Sequence, residues 1–427
     1  MTAYNKGRYF GIGVENWFLL ISIFSGINVA LGNWKNQSFT NFVTPFEFIE
    51  LFCEFLRNYT VLIVILFSIS FIQTTFCIFI EKAIYRDYIS EGTGQVLYLV
   101  NGFSLPNCFI AVCFMSNKIG PVPSFFAIGI LLHLFCLKVL SYMYVNYKQR
   151  KTWLSEQSNN STNSDKENAN DVVIKDEKDK EIRYLQSLSL KNLYLFMYVS
   201  PSLVYKPNSD IRWKLDISYF ISAFIKGLVV FYVALNILNV FIVEDVKNSK
   251  RFIDNGEVLQ VLKTVFKILV PVHLVWLLII YYFNFCVFFE SWSKGVGYPL
   301  NQDYDWWNSE TAAIFWCKWN VIVHEWLKET VYKPLLIAGV SKTTSSTMVF
   351  ALSGLFHSYC FEFPFRLFNG FGFVAMVSQI PLQEFTNYVS RKHGIKLSNA
   401  LIWLQIMVGH PITIILMYYH YASSQIK

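Results

Sequence analysis

Charge is scarce in this 427-residue chain: Asp, Glu, Lys and Arg make up 15% of it, against about 25% in a typical soluble domain. That shortage excludes an ordinary water-facing surface over most of the molecule. The net charge of +7 is small and dispersed, which argues against a nucleic-acid partner and fits basic residues in cytosolic loops and near lipid headgroups. The eight cysteines contain no CxxC pair, so they read as small buried hydrophobes and not as a disulfide framework or zinc site. No HExxH or comparable ligand spacing occurs among the seven histidines, and no metal is expected. Met1 to Ile12 lacks the compact apolar stretch and small-residue cleavage site of a signal peptide, so the first span is expected to be retained as an anchor. No internal repeat is evident, which disfavours a transporter built from echoing halves.

What the chain does have is apolar length. Hydrophobic residues make up 54% and aromatics 18%. A spanning helix needs about 20 apolar residues, and about nine segments qualify: 14–31, 59–81, 95–116, 121–145, 215–243, 258–289, 345–363, 368–388 and 399–421. The expected fold is therefore all-α, a polytopic bundle with added interfacial helices. Prolines 106, 271, 381 and 411 fall in or near spans, where they mark kinks. Residues 1–147 form a first group of helices. Residues 148–183 carry eight basic and eight acidic residues around Ser158-Asn-Asn-Ser-Thr, too polar to offset chain entropy, and read as a disordered linker. Asn159 and Asn160 match glycosylation spacing, but the flank Lys148-Gln-Arg-Lys151 places this loop in the cytosol. The same orientation puts the N-terminus and the loop after the sixth span in the cytosol, and the C-terminus opposite. Residues 184–427 form the second part. It begins with 184–205, expected to lie in the interface. An amphipathic helix over Ala312–Val340 is expected on the cytosolic side, its Trp and Tyr interleaved with Lys318, Lys328 and Lys333.

One residue is out of place in this pattern. His357 lies inside the apolar run Ser346–Phe365, and an ionisable group at hydrocarbon depth is costly to keep. Asn320 and His324, four apart, fall on one face of the expected Ala312–Lys333 helix. Together with His357 they offer a base and an amide donor, the pair that acyl transfer needs: one takes a hydroxyl proton, the other steadies an oxygen gaining charge. Spacing alone leaves the alternative open that each is a hydrogen-bonded packing residue. His133 and His273, on apolar helices, read as packing residues or headgroup contacts, and His393 as a solvated loop residue. Glu362 is placed to pair with Arg366 at i+4.

Asp305-Trp-Trp-Asn-Ser309, Trp319-Asn320-Val-Ile-Val-His324-Glu-Trp326 and Tyr332-Lys-Pro334 follow in order. This series resembles the signature of the membrane-bound O-acyltransferases, in the branch of sterol and diacylglycerol acyltransferases: FYxDWWN, WNxPVHxW and a catalytic His in the next span. Further matches favour the type 1 diacylglycerol group. Ser200-Pro201-Ser202-Leu203 with Tyr205 is similar to APTLCY, Val270-Pro-Val-His273-Leu-Val-Trp276 to VPNHLIW, Ser378-Gln379-Ile-Pro-Leu382 to AQIPL, and Leu137-Lys138-Val-Leu-Ser141-Tyr142 to MKxxSY.

The resemblance implies that His357 is the base and Asn320 the second catalytic residue, with Gln379 lining the acyl chamber. It implies that Trp316, Trp319, Tyr332 and Lys342 meet acyl-CoA, and it adds Asp305, Trp306, Trp307, Asn308, His324 and His410 to the substrate-binding set. It implies acyl-CoA as co-substrate with no other cofactor and a diacylglycerol acceptor, with a sterol, a fatty alcohol or a catalytically silent lipid-binding member as alternatives. It also implies the endoplasmic reticulum membrane and a homodimer or homotetramer. The chain departs from the signature at Gln302, Asp303 and Ile322. It also has Ser358 where a Glu usually follows the His, and His410 where Gln is usual.

Overall fold

A computed structural model describes residues 12–30, 41–115, 122–161, 188–207, 211, 213–299 and 305–424. Among them every regular element is helical. The helices are α1 (Ile12–Ala30), α2 (Pro45–Tyr85), α3 (Glu91–Met115), α4 (Val122–Ser161), α5 (Leu190–Tyr194), α6 (Ile217–Phe241) and α7 (Val243–Asp254). Then come α8 (Val258–Trp276), prolonged by the π-helical stretch Leu277–Phe289, and α9 (Glu290–Val296). The later helices are α10 (Ala312–Trp319), α11 (Val321–Leu327), α12 (Lys333–Ile337), α13 (Lys342–Phe361), α14 (Phe371–Val377), α15 (Gln379–His393) and α16 (Ile395–Ser424). Five stretches are long and apolar enough to cross a membrane by length and composition: Pro45–Tyr85, Ile128–Thr152, Ile217–Asp254, Val258–Val296 and Ile395–Ser424. The protein is an all-α, multi-pass membrane protein.

Five of the nine expected spans coincide with these stretches, and four further expectations change outside the site. α4 runs on to Ser161, fourteen residues into the segment read as linker. Buried Arg150 explains why: it forms ion pairs with buried Glu81 of α2 and with Glu91 of α3, and Tyr98 Oη donates to Glu81 at 2.7 Å. A charge taken out of water needs such partners, and here they fasten the far end of α4 to its neighbours. Residues 162–183 of the expected linker lie outside the described residues.

The segment read as interfacial is drawn into the bundle. Leu193, Phe196 and Met197 are buried against α2 and α4. Lys138 of α4, itself buried, donates to the carbonyls of Phe196, Met197 and Ser200 at 2.8, 3.1 and 2.7 Å. All three ammonium donors are thereby used, on carbonyls that end a π-helical turn and would otherwise be orphaned. The third change is in the eighth expected span, which is divided at Ser378 into α14 and α15.

The last change concerns Glu362. α13 ends at Phe361 and Arg366 turns left-handed at φ 58°, so the helical i+4 geometry behind a Glu362–Arg366 pair does not apply. Glu362 is buried, and its carboxylate accepts from the backbone N–H groups of Asn369, Gly370 and Gly372 at 3.0, 2.8 and 2.7 Å. Those N–H groups begin α14, where a negative charge meets the positive end of the helix. Gly370 precedes α14 at φ 69°, a conformation that costs glycine little.

Candidate active site

α13 places His357 by packing on both sides. Toward α14 the contact is backbone on backbone: a side-chain carbon at Gly372 would sit 2.5 Å from the Ser358 nitrogen, and one at Gly354 would sit 2.9 Å from the Phe373 Cα. Small residues are what let two helices approach this closely in a membrane. Ser358 completes the joint, its hydroxyl accepting from Phe373 N–H at 2.9 Å. Opposite, Phe356 joins Ile322 and Trp326 of α11 and Leu137 of α4 in one apolar cluster, while Tyr359 Oη donates to the Pro106 carbonyl of α3 at 2.8 Å.

The imidazole of His357 has its Nδ1 2.7 Å from the Ser353 carbonyl oxygen, and its ring stacks over Phe361. A carbonyl can only accept, so Nδ1 carries the proton in the neutral ring and Nε2 keeps its lone pair. The tautomer is thus set by the helix's own backbone. Nε2 is left as a base, and the imidazolium it becomes keeps a hydrogen bond to a carbonyl dipole.

The expected helix from Ala312 to Lys333 is not continuous. It breaks at Asn320, whose backbone sits at φ −131°, ψ 80°, and whose Oδ1 accepts from Val323 N–H at 3.2 Å, capping α11. A π-helical turn, Lys328–Tyr332, then separates α11 from α12. Sharing one helix face is therefore not what relates Asn320 and His324. α11 instead docks beside Phe356 through Ile322 and Trp326, the latter donating from Nε1 to the Leu137 carbonyl at 2.8 Å. α11 thus packs against the residue that precedes His357. Burial first, and then the Lys328 charge, push the half-buried His324 imidazole below its ordinary pKa, with Glu325 opposing.

Gln379, buried at the start of α15, is tied on both ends of its amide. Its Oε1 accepts from Trp316 Nε1 at 3.3 Å and its Nε2 donates to the Ala375 carbonyl at 3.2 Å. Trp316 meets Phe350 of α13 edge-on, so Gln379 and Trp316 form one fixed wall beside α13. Tyr332 is half-buried in the π-helical turn, and Lys342 is exposed in the first turn of α13.

The tryptophan motif builds a different neighbourhood. Asp305–Asn308 is a single 3-10 turn, with Trp306 buried against Trp276, Phe315, Trp319 and Trp403. Asp305 pairs with Lys318 at 2.5 Å. Asn308 Oδ1 accepts from Gly13 N–H at 3.0 Å, and Asn399 Nδ2 donates to the Trp307 and Ser309 carbonyls at 2.8 and 2.9 Å. A side-chain carbon on Gly13 would overlap the Trp307 carbonyl, so only glycine fits at that point of α1. Trp319 stacks on Trp276 at 4.8 Å between centroids, and His410 lies on Trp276 at 5.1 Å. His273 accepts from Trp17 Nε1 at 3.0 Å.

Sequence reasoning missed the Ser353 carbonyl, Gly372 and the capping use of Glu362. Only the Asn369-Gly370 turn after a lone acid hinted at the last. No group of three or more His, Cys, Asp and Glu stands placed to hold a metal among the described residues.

Comparison with known proteins agrees in extent and kind. Residues 87–419 match the model of the membrane-bound O-acyltransferase family. The chain is 28% identical over 411 residues to Diacylglycerol O-acyltransferase 1 of Bos taurus, covering 96% of this chain and 80% of the relative. It is 26% identical over 410 residues to the Homo sapiens protein of that name, with the same coverage. Against the one from Dictyostelium discoideum it is 29% identical over 344 residues, 79% of this chain and 52% of the relative. The chain belongs to the membrane-bound O-acyltransferase family.

Proposed function

We propose that this protein transfers a fatty acyl group from acyl-CoA to the free hydroxyl of diacylglycerol, giving triacylglycerol and CoA. The observation that carries the reading is the His357 ring. It has a backbone-fixed tautomer, with a bare Nε2 inside an apolar helix, in a chain similar along 96% of its length to Diacylglycerol O-acyltransferase 1 of two mammals. Nε2 takes the proton of the acceptor hydroxyl as its oxygen attacks the thioester carbonyl. The tetrahedral oxyanion collapses, the C–S bond breaks, and the imidazolium returns the proton to the CoA thiolate. General-base help of this kind contributes about 10²–10⁴-fold.

Asn320 supplies the amide donor to the oxyanion from its Nδ2, since Oδ1 is spent on the cap. Trp316 and Gln379 wall the acyl chamber. Tyr332 and Lys342 meet the CoA moiety at the cytosolic mouth, the lysine as a point charge for phosphate, with Trp319 and His324 behind them. Asp305, Trp306, Trp307, Asn308 and His410 support that chamber from the aromatic cluster. The membrane is that of the endoplasmic reticulum, and the protein works as a homodimer or homotetramer.

The test uses microsomes from a host without neutral-lipid synthesis, supplied with labelled acyl-CoA and diacylglycerol, sterol or fatty alcohol in turn. Triacylglycerol is the expected product. A different ester would reassign the acceptor, and no ester with any alcohol would leave a lipid-binding role.

A further inference from the structure

His133 of α4 is the one imidazole among the described residues with both ring nitrogens buried and neither hydrogen-bonded. Its ring packs edge-on against Phe356, 4.3 Å between centroids, and lies 4.7 Å from Tyr359. These two residues lie one position before and two positions after His357, so His133 packs against the turn of α13 that carries it. His273, the other histidine expected to serve packing, does so: its Nε2 accepts from Trp17 and its ring stacks on Trp276. The His133 ring packs on its neighbours, but neither of its nitrogens has such a partner. A buried polar group without a partner costs about 1–3 kcal/mol, and a neutral imidazole brings one donor and one acceptor. The site beside the base therefore offers a hydrogen bond that nothing in the protein takes up.

We propose that His133 selects the acceptor: its ring N–H donates to an ester carbonyl of diacylglycerol while the neighbouring free hydroxyl faces Nε2 of His357. This rests on the acyl-transfer reading above and goes further, by naming what separates one lipid alcohol from another. A diacylglycerol carries ester carbonyls within a few bonds of its hydroxyl; a fatty alcohol or a sterol carries none. A site built to bond a group discriminates strongly against a substrate that lacks it, because its own polar atom is then left unpaired. Apolar contacts with Phe356 and Tyr359 alone would accept any of the three.

The full-length protein in lipid nanodiscs, with His133→Leu and His133→Gln, tests this. Removing the donor with His133→Leu is expected to lower kcat/KM for diacylglycerol about 5- to 100-fold, the equivalent of one lost hydrogen bond to a buried group. Use of a fatty alcohol and KM for acyl-CoA should stay within about twofold, and His133→Gln should recover most of the preference. Binding of a short-chain diacylglycerol, read as a thermal shift without turnover, should weaken in parallel. An unchanged ratio of diacylglycerol to fatty-alcohol use in a folded His133→Leu protein overturns the proposal. So does a loss of thermal stability alone, which would mean a structural water there. Loss of activity in His357→Ala beside an unchanged ratio in His133→Leu would defeat this inference while leaving the acyl-transfer reading intact. No ester and no diacylglycerol binding by the unsubstituted protein would defeat both.

Discussion

The tryptophan cluster around Trp306 and the proposed acyl chamber around His357 differ in what holds their polar groups. In the cluster long-range polar contacts tie the elements together: Asp305 with Lys318, Asn308 with Gly13, Asn399 with two carbonyls, His273 with Trp17, while Nε1 of Trp306 and Trp307, Oγ of Ser309 and Nδ1 of His273 and His410 are buried without a hydrogen-bond partner. Aromatic rings fill the space between α1, α8, α10 and α16. Around His357 the ring Nδ1 is bonded to the Ser353 carbonyl of its own helix, Asn320 Oδ1 caps α11, and both nitrogens of the neighbouring His133 are buried without a hydrogen-bond partner. The difference teaches that the Asp305–Asn308 motif is knitted between α1, α10 and α16 by contacts distant in sequence, whereas His357 is held by the backbone of its own helix.

Paired substitutions give the strongest test of that contrast. His357→Ala should reduce turnover by about 10²–10⁴-fold and leave thermal stability close to wild type. Trp306→Ala should do the reverse, lowering stability by about 3–5 kcal/mol as for other buried Trp truncations, with the folded fraction retaining kcat. Turnover per folded molecule and the unfolding midpoint in detergent separate the two. A Trp306→Ala protein that is stable but inactive would move the motif into the chamber.

Glu362→Gln probes the edge between the regions. The substitution keeps the shape, removes the charge facing three backbone N–H groups at the start of α14, and turns one acceptor into a donor. Hydrogen bonds to charged groups contribute about 1.5–3 kcal/mol, so a loss of that size is expected. Activity should fall with it only as far as α14 loosens from α13. Hydrogen exchange at Gly370 and Gly372 would localise the effect.

What the sequence made legible follows from the kind of signal each residue gives. The all-α class and five of the nine expected spans came through because hydropathy is a local property. The break at Asn320 did not, because an Asn in an amphipathic run reads as one more polar position until its φ and ψ are known. Arg150 and Lys138 looked like loop charge and motif residue, whereas burial with long-range partners gives them their roles. Ser358 is the clearest case. In the sequence it is a carboxylate missing from the signature; in the structure its hydroxyl points into the α13–α14 joint, where the two backbones come close at Gly372. Ser358→Ala should therefore cost about 1 kcal/mol through the unsatisfied Phe373 N–H and leave the pH profile of turnover unchanged. Ser358→Glu should be less stable than either, through crowding and a second carboxylate one turn from Glu362.

His324 yields the smallest expected effect and sharpens the comparison at its margin. Its folded pKa lies below the ordinary value, first through burial and then through Lys328. The unfolded chain therefore binds the proton more readily than the folded one. Stability is complete above the unfolded pKa, near 6.5, and is lost as pH falls from there through the folded value. His324→Gln should flatten that slope in thermal unfolding between roughly pH 7 and pH 5. If His324 belongs to the proposed acyl chamber, KM for acyl-CoA should also lose a pH dependence in the same window. If it belongs to the scaffold, only the unfolding curve should change.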